Sequence, residues 1–146
     1  MWADALYLAE YNHVLRLAIW GAACALVGTL LVLVLTLRRA HSPLARHFAI
    51  QTAAWGAIEL VVALVARRGL AYRDLAGYTR FDRFLWLDVG LDVGYVLVGL
   101  TLAIVGWRLG RKLGLVGAGA GVVAQGLALL VVHAYLIGVL SRLTAG

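Results

Sequence analysis

Residues 85–107 form an apolar run long enough to cross a bilayer, yet the run carries two carboxylates, Asp88 and Asp92. An aspartate at the centre of a lipid-facing helix costs roughly 2.5 to 3.5 kcal/mol. The segment Leu87-Asp88-Val89-Gly90-Leu91-Asp92-Val93-Gly94-Tyr95 must therefore turn its acids towards protein or water, and it is read as one wall of an internal polar site.

The rest of the chain places that wall in a membrane protein. Of 146 residues, 64% are hydrophobic and only 14% charged, with a mean hydropathy of +0.93, where an ordinary soluble domain carries about 25% charged residues. The expected fold is all-α, a polytopic bundle of four transmembrane helices. A pI near 10.1 suggests nucleic acid in a soluble protein. Here the arginines stand between apolar runs, where they set topology and meet lipid headgroups, so the bilayer and not nucleic acid is the expected partner. Twelve arginines against the single Lys112 suggest a GC-rich bacterial genome and hence a bacterial inner membrane. Cys24 stands alone, which excludes an internal disulfide or a thiolate metal cluster. No span contains a lysine, which excludes a retinal or pyridoxal Schiff base inside the bundle. The first residues carry Asp4 and Glu10 and no Lys or Arg, the wrong charge for a cleaved leader.

The expected spans are residues 17–37, 47–66, 85–107 and 113–140, within one domain covering residues 1–146. An interfacial helix is expected over 2–13, lying on the membrane or extending the first span, and an amphipathic connection over 67–84. Span two repeats polar or aromatic residues every four positions, so one face reads His47, Gln51, Trp55, Glu59. Span three puts Asp88, Asp92, Tyr95 and Gly99 on one stripe and Gly90 and Gly94 on another. Span four opens with Gly114, Gly117, Gly119 and Gly121 and later carries Gln125, His133 and Tyr135. Such glycine faces admit close helix approach, within the bundle, between copies of the chain or in a larger membrane complex. Gln51 and Gln125 each precede an ionisable residue, Glu59 and His133, by eight positions, and Val27-Gly28 corresponds to Val98-Gly99. Two hairpins related as a parallel repeat would give this echo and would put a site at their interface. Basic residues divide almost evenly between the two sides; their concentration in the two tight turns leans towards both termini outside.

Alternating spans bring the polar groups to one level. Glu59 lies eight residues before Arg67, Asp92 nine after Arg83, and His133 nine before Arg142. Each is then about 12 to 14 Å inside its flanking charge. Asp88 lies a turn nearer the surface, and Glu10, His13 and Arg16 approach from span one. Acids so close cannot all be ionised and must share protons. This predicts a one-leaflet cavity built from Glu59, Asp88, Asp92, Tyr95 and His133, with Arg16 as counter-charge and Gln51 and Gln125 supplying hydrogen bonds deeper in. Such a cavity suits a cation, a proton or a small polar ligand, in a transporter or a sensor. Three alternatives stand beside it: a hydrogen-bond network that exchanges nothing, an accessory subunit of a larger complex, and a metal-dependent membrane oxidoreductase. For the last, Glu10-Tyr11-Asn12-His13 has the Glu-x-x-His spacing of carboxylate-bridged metal bundles, although in a single copy, and Glu59, Asp92 and His133 would complete the ligands. Haem between His13 and His133, with Arg16 for a propionate, is a further form of that alternative. Ser42 and Ser141 lie in no Gly-x-Ser-x-Gly motif, so hydrolytic chemistry has no support.

The run Gly90-Leu91-Asp92-Val93-Gly94-Tyr95, followed by Gly99 and Gln125-Gly126, resembles the second half of an uncharacterised family of small bacterial four-span membrane proteins. His47-Phe48 with Trp55 resembles its first half. Where that family's pattern has amides in span two and an acid late in span four, this chain has Glu59 and His133. The resemblance implies the four-span fold and draws attention to Asp92, Tyr95 and Gln125; it implies no activity.

Overall fold

The structure, a computed structural model, describes residues 2–145. Four helices follow one another: α1 (Trp2–Leu37), α2 (Pro43–Arg68), α3 (Leu75–Arg108) and α4 (Leu113–Ala145). All four are long and apolar enough to cross a membrane, and no strand occurs among the described residues. The outward surface of the bundle is apolar, with Ile19, Leu26, Val61, Val65, Leu97, Ile104 and Val131 all exposed. The expected all-α four-helix architecture is what the chain adopts.

Local sequence explains where the helices start and stop. Ser42 caps α2, its hydroxyl accepting from the Ala45 amide at 3.3 Å with Pro43 in the first turn, and Asp74 caps α3 by accepting from the Gly77 amide at 2.8 Å. Both hairpin turns use the left-handed region. Arg39 (φ 48°) closes the first and Gly110 (φ 79°) with Arg111 (φ 56°) the second, and the amides beyond return to helix carbonyls, Ala40 to Leu35 at 3.0 Å and Lys112 to Gly106 at 2.7 Å.

Residues 2–13 take the second of the two forms open to them and extend the first span as the opening turns of α1, whereas the connection differs from the one expected: it is only 69–74, because 75–84 already belong to α3. The cause is tertiary. Leu6, Leu85, Leu136 and Leu140 bury one another at the terminal end of the bundle, with Tyr78 and Phe81 packed against them, so both extensions gain a hydrophobic partner that favours helix. At about 1.5 Å per residue α1 is about 54 Å long, well beyond a bilayer core of about 30 Å.

Glycines determine which helices interlock. A Cβ on Gly21 would lie 2.6 Å from the Leu60 amide, and one on Gly28 or Gly56 would run into the facing backbone at Ala53 or Ala25, so α1 and α2 touch backbone to backbone. In the second hairpin Gly99 and Gly119 face each other in the same manner. The α4 glycines expected to pack closely do so: Gly114 against the His47 ring, Gly117 against the Leu44 backbone, Gly121 against Gln51. Gly90 and Gly94 do not. A Cβ on either would meet no other helix within 4 Å, because their stripe points out of the bundle.

Each hairpin therefore crosses at one of the corresponding glycines, Gly28 or Gly99, and turns through a left-handed arginine. A strict two-fold relation would set α3 against α2 as α4 stands against α1. It is broken: α4 packs on all three other helices, but the Cα atoms of α3 come within 8 Å of neither α1 nor α2. That missing contact is the cleft that holds the site.

Candidate functional site

The cleft is a cavity of about 280 Å³ between the hairpins, lined on α1 by Glu10 and His13, on α2 by Trp55 and Glu59, on α3 by Phe81, Asp88, Asp92 and Tyr95, and on α4 by His133. Apolar chains, among them Leu17, Ile58, Val62, Leu91 and Leu129, complete the wall. Its centre is an imidazole–carboxylate pair. His133 Nδ1 lies 2.6 Å from Asp92 Oδ2, both side chains almost fully buried, a separation that requires a proton between them. The sequence explains the approach: Gly126 lets α4 come up to the Asp92 backbone, where a Cβ would stand 2.9 Å from the carbonyl oxygen. Two turns further along α4, His133 reaches the carboxylate.

Apart from Glu10, the other ionisable groups of the cavity lack such partners. Glu59 is only 9% exposed and Asp88 is half-buried, and neither carboxyl hydrogen-bonds to another described residue. Nδ1 of His13 is buried without a hydrogen-bond partner, its ring 5.2 Å from that of His133. Trp55 and Tyr95 meet across the cleft at 4.8 Å, tilted by 58°. A buried polar atom with no hydrogen bond costs roughly 1 to 3 kcal/mol, a cost that His13 Nδ1 carries, while the carboxyls of Glu59 and Asp88 face the cavity.

At the terminal end a different acid is fully paired. Arg73, in the short connection, donates through Nε to Glu10 Oε2 at 2.8 Å and through Nη2 to Oε1 at 2.5 Å. Its guanidinium also lies 5.0 Å from the Phe81 ring centre. The hydrogen bonds to Glu10 hold Arg73 still more firmly protonated than an ordinary arginine. Tyr7 and Tyr72 stack beside this clasp at 5.1 Å, so the connection is strapped across the cavity's terminal side.

Several expectations for the site need correction. Arg16 is not the counter-charge: it is exposed and lies over the Tyr135 ring at 4.3 Å, on the outer side of α1 and α4. Gln51 packs under Gly121 and lines no part of the cavity. Gln125 is buried, but it accepts from Trp20 Nε1 at 2.9 Å and so ties α1 to α4 below the site. No group of three His, Cys, Asp or Glu among the described residues is arranged to hold a metal. Glu10 is occupied by Arg73 and His133 by Asp92, which dissolves the ligand set of Glu10, His13, Glu59, Asp92 and His133. Haem fares no better, since His13 and His133 are too close to admit a macrocycle between them. The pattern missed Trp55 and Phe81 as cavity residues and Arg73 as the partner of Glu10, although Trp55 stands one turn from Glu59 on the face already recognised.

A wider, open groove of about 740 Å³ lies at the opposite end, around the first hairpin turn, lined by Arg39, His41, Arg46 and His47. It carries no acid and no buried unpartnered group, and His47 Nδ1 is engaged by the Pro43 carbonyl at 2.8 Å.

Comparison with protein families matches residues 16–134 to one family, described as a family of unknown function, DUF6992. Comparisons with curated proteins and with solved structures gave no significant match. The matched segment contains both pieces of the motif, Leu-Asp-Val-Gly-Tyr and Gln-Gly, which the structure brings into contact at Asp92 and Gly126.

Proposed function

From the premise that the chain belongs to the family of unknown function DUF6992, we propose that it is a multi-pass protein of a bacterial cytoplasmic membrane that binds a cation or small polar ligand in the cavity between its hairpins. The Asp92–His133 pair serves as a proton-sharing element beside that ligand. One observation carries the reading: Glu59 is buried, unpartnered and turned into a cavity that already holds a satisfied ion pair. A purely structural network pairs its members, as Asp92 is paired with His133 and Glu10 with Arg73. An acid left unpaired next to both is suited to a partner that comes and goes. The concentration of basic residues in the two hairpin turns favours an orientation with both termini outside.

The test is thermal unfolding of the full chain in mild detergent at constant ionic strength, with a panel of inorganic and organic cations. A ligand present at about 100 times its Kd adds about 2.7 kcal/mol of stability. At least one cation is expected to raise the wild-type midpoint and to leave that of Glu59→Gln unmoved. If Glu59→Gln and Asp92→Asn leave every ligand-induced shift and the pH profile of stability as they are in wild type, the reading fails.

A further inference from the structure

Resting on that reading, we infer that the cavity's ligand is an organic ammonium cation with an apolar body, which enters sideways between α2 and α3. Charge comes first. The lining contains Glu10, Glu59, Asp88 and Asp92 and no lysine or arginine; Arg73 neutralises Glu10 and His133 pairs with Asp92, which leaves Glu59 and Asp88 without a cation. An anion would meet net repulsion there. Size and donor arrangement come second. About 280 Å³ is far more than one desolvated metal ion fills, and no three donors converge as inner-sphere ligands. Third, the cavity offers what a weakly hydrated organic cation prefers. Trp55 and Tyr95 present aromatic surface one turn and one helix away from Glu59, and a cation over such rings is attracted by their π faces, the more so when water is excluded.

The route follows from the broken symmetry of the bundle. The Cα atoms of α2 and α3 stay more than 8 Å apart, and the cavity residues along that gap, Ile58, Val62 and Leu91, are about half exposed. The terminal side is clasped by Glu10 and Arg73. An apolar rim facing sideways and an ionic clasp facing the water favour a ligand that partitions into the membrane and carries its charge in afterwards. Glu59, buried without a partner, is the group such a charge would meet.

Titration calorimetry on the full chain in nanodiscs tests this with benzyltrimethylammonium as probe, which has no N–H donors and so reads charge and π contact alone. Saturable binding is expected, at least tenfold weaker in Glu59→Gln. Trp55→Leu should weaken it about five- to thirtyfold, with Trp55→Phe, which keeps a π face, in between. The neutral isostere neopentylbenzene should bind at least tenfold more weakly than the cation. Stabilisation by sodium or calcium with no binding of the probe overturns the inference while leaving the cavity a cation site. No response to either kind of cation overturns both. Probe binding that neither substitution changes, in variants whose circular dichroism matches wild type, places the cation elsewhere and also overturns the inference.

Discussion

The two ends of this bundle are packed on opposite principles. Towards the hairpin turns, glycines bring backbones into contact: Gly28 on α2, Gly99 on Gly119, Gly117 on the Leu44 backbone. Towards the termini, bulky leucines and an Arg–Glu clasp hold the helices from farther apart, and the cavity occupies the space between. A single stripe of α2 crosses the change. His47 and Gln51 press against Gly114 and Gly121 of α4, whereas Trp55 and Glu59, one and two turns on, face the open cleft. Where a neighbouring helix offers glycine the stripe is covered, and where it does not the same face lines the cavity. Small residues thus position the site by deciding where the helices are allowed to part.

Substitutions at each end should break this contrast in different ways, and the largest effect belongs to the buried pair. Asp92→Ala strands His133 and should lower unfolding stability in detergent by about 3 to 5 kcal/mol, measured by thermal or denaturant unfolding. At the interlocked end, Gly119→Val drives a side chain into the Gly99 carbonyl and the Ala103 backbone. A loss of about 3 kcal/mol is expected there, with broadening in size-exclusion chromatography as the second hairpin is pried apart. Breaking the terminal clasp comes next. Arg73→Ala leaves the buried Glu10 carboxylate without its two hydrogen bonds, for a loss of about 2 kcal/mol, and should speed hydrogen exchange in 69–84 while the turn end stays protected. The smallest effect sharpens the comparison by its sign. Gly90→Ala and Gly94→Ala meet nothing and should raise stability by up to about 1 kcal/mol through helix propensity alone.

Much of this arrangement is legible in the sequence. Apolar run length gives the four spans, and counting from flanking arginines puts Asp92 and His133 at one level, where they meet at 2.6 Å. Counting depth, however, fixes a level along a helix and not the side from which a residue projects. For that reason Arg16 is found over Tyr135 on the outside, Gly90 and Gly94 face away from every neighbour, and Gln125 serves Trp20 instead of the cavity. The helical extension of α3 escapes the pattern, and the choice between the two forms of residues 2–13 stays open in it, because both depend on Leu6, Leu85, Leu136 and Leu140 burying one another, contacts between segments far apart in the chain. Arg73 escapes it for the same reason, lying 63 positions from the acid it binds.

Whether Glu59 is there for a ligand or for the bundle is decided by the stability of the protein in the absence of ligand. Replacing Glu59 with methionine removes a buried, unpaired acid at similar volume. In dialysed protein in detergent, the unfolding midpoint of Glu59→Met should rise above wild type by the equivalent of about 1 to 2 kcal/mol, the gain expected when a functional group that burdens the fold is taken away. A midpoint below wild type would mean that Glu59 holds the helices together, and would contradict the claim that the cavity exists to be filled.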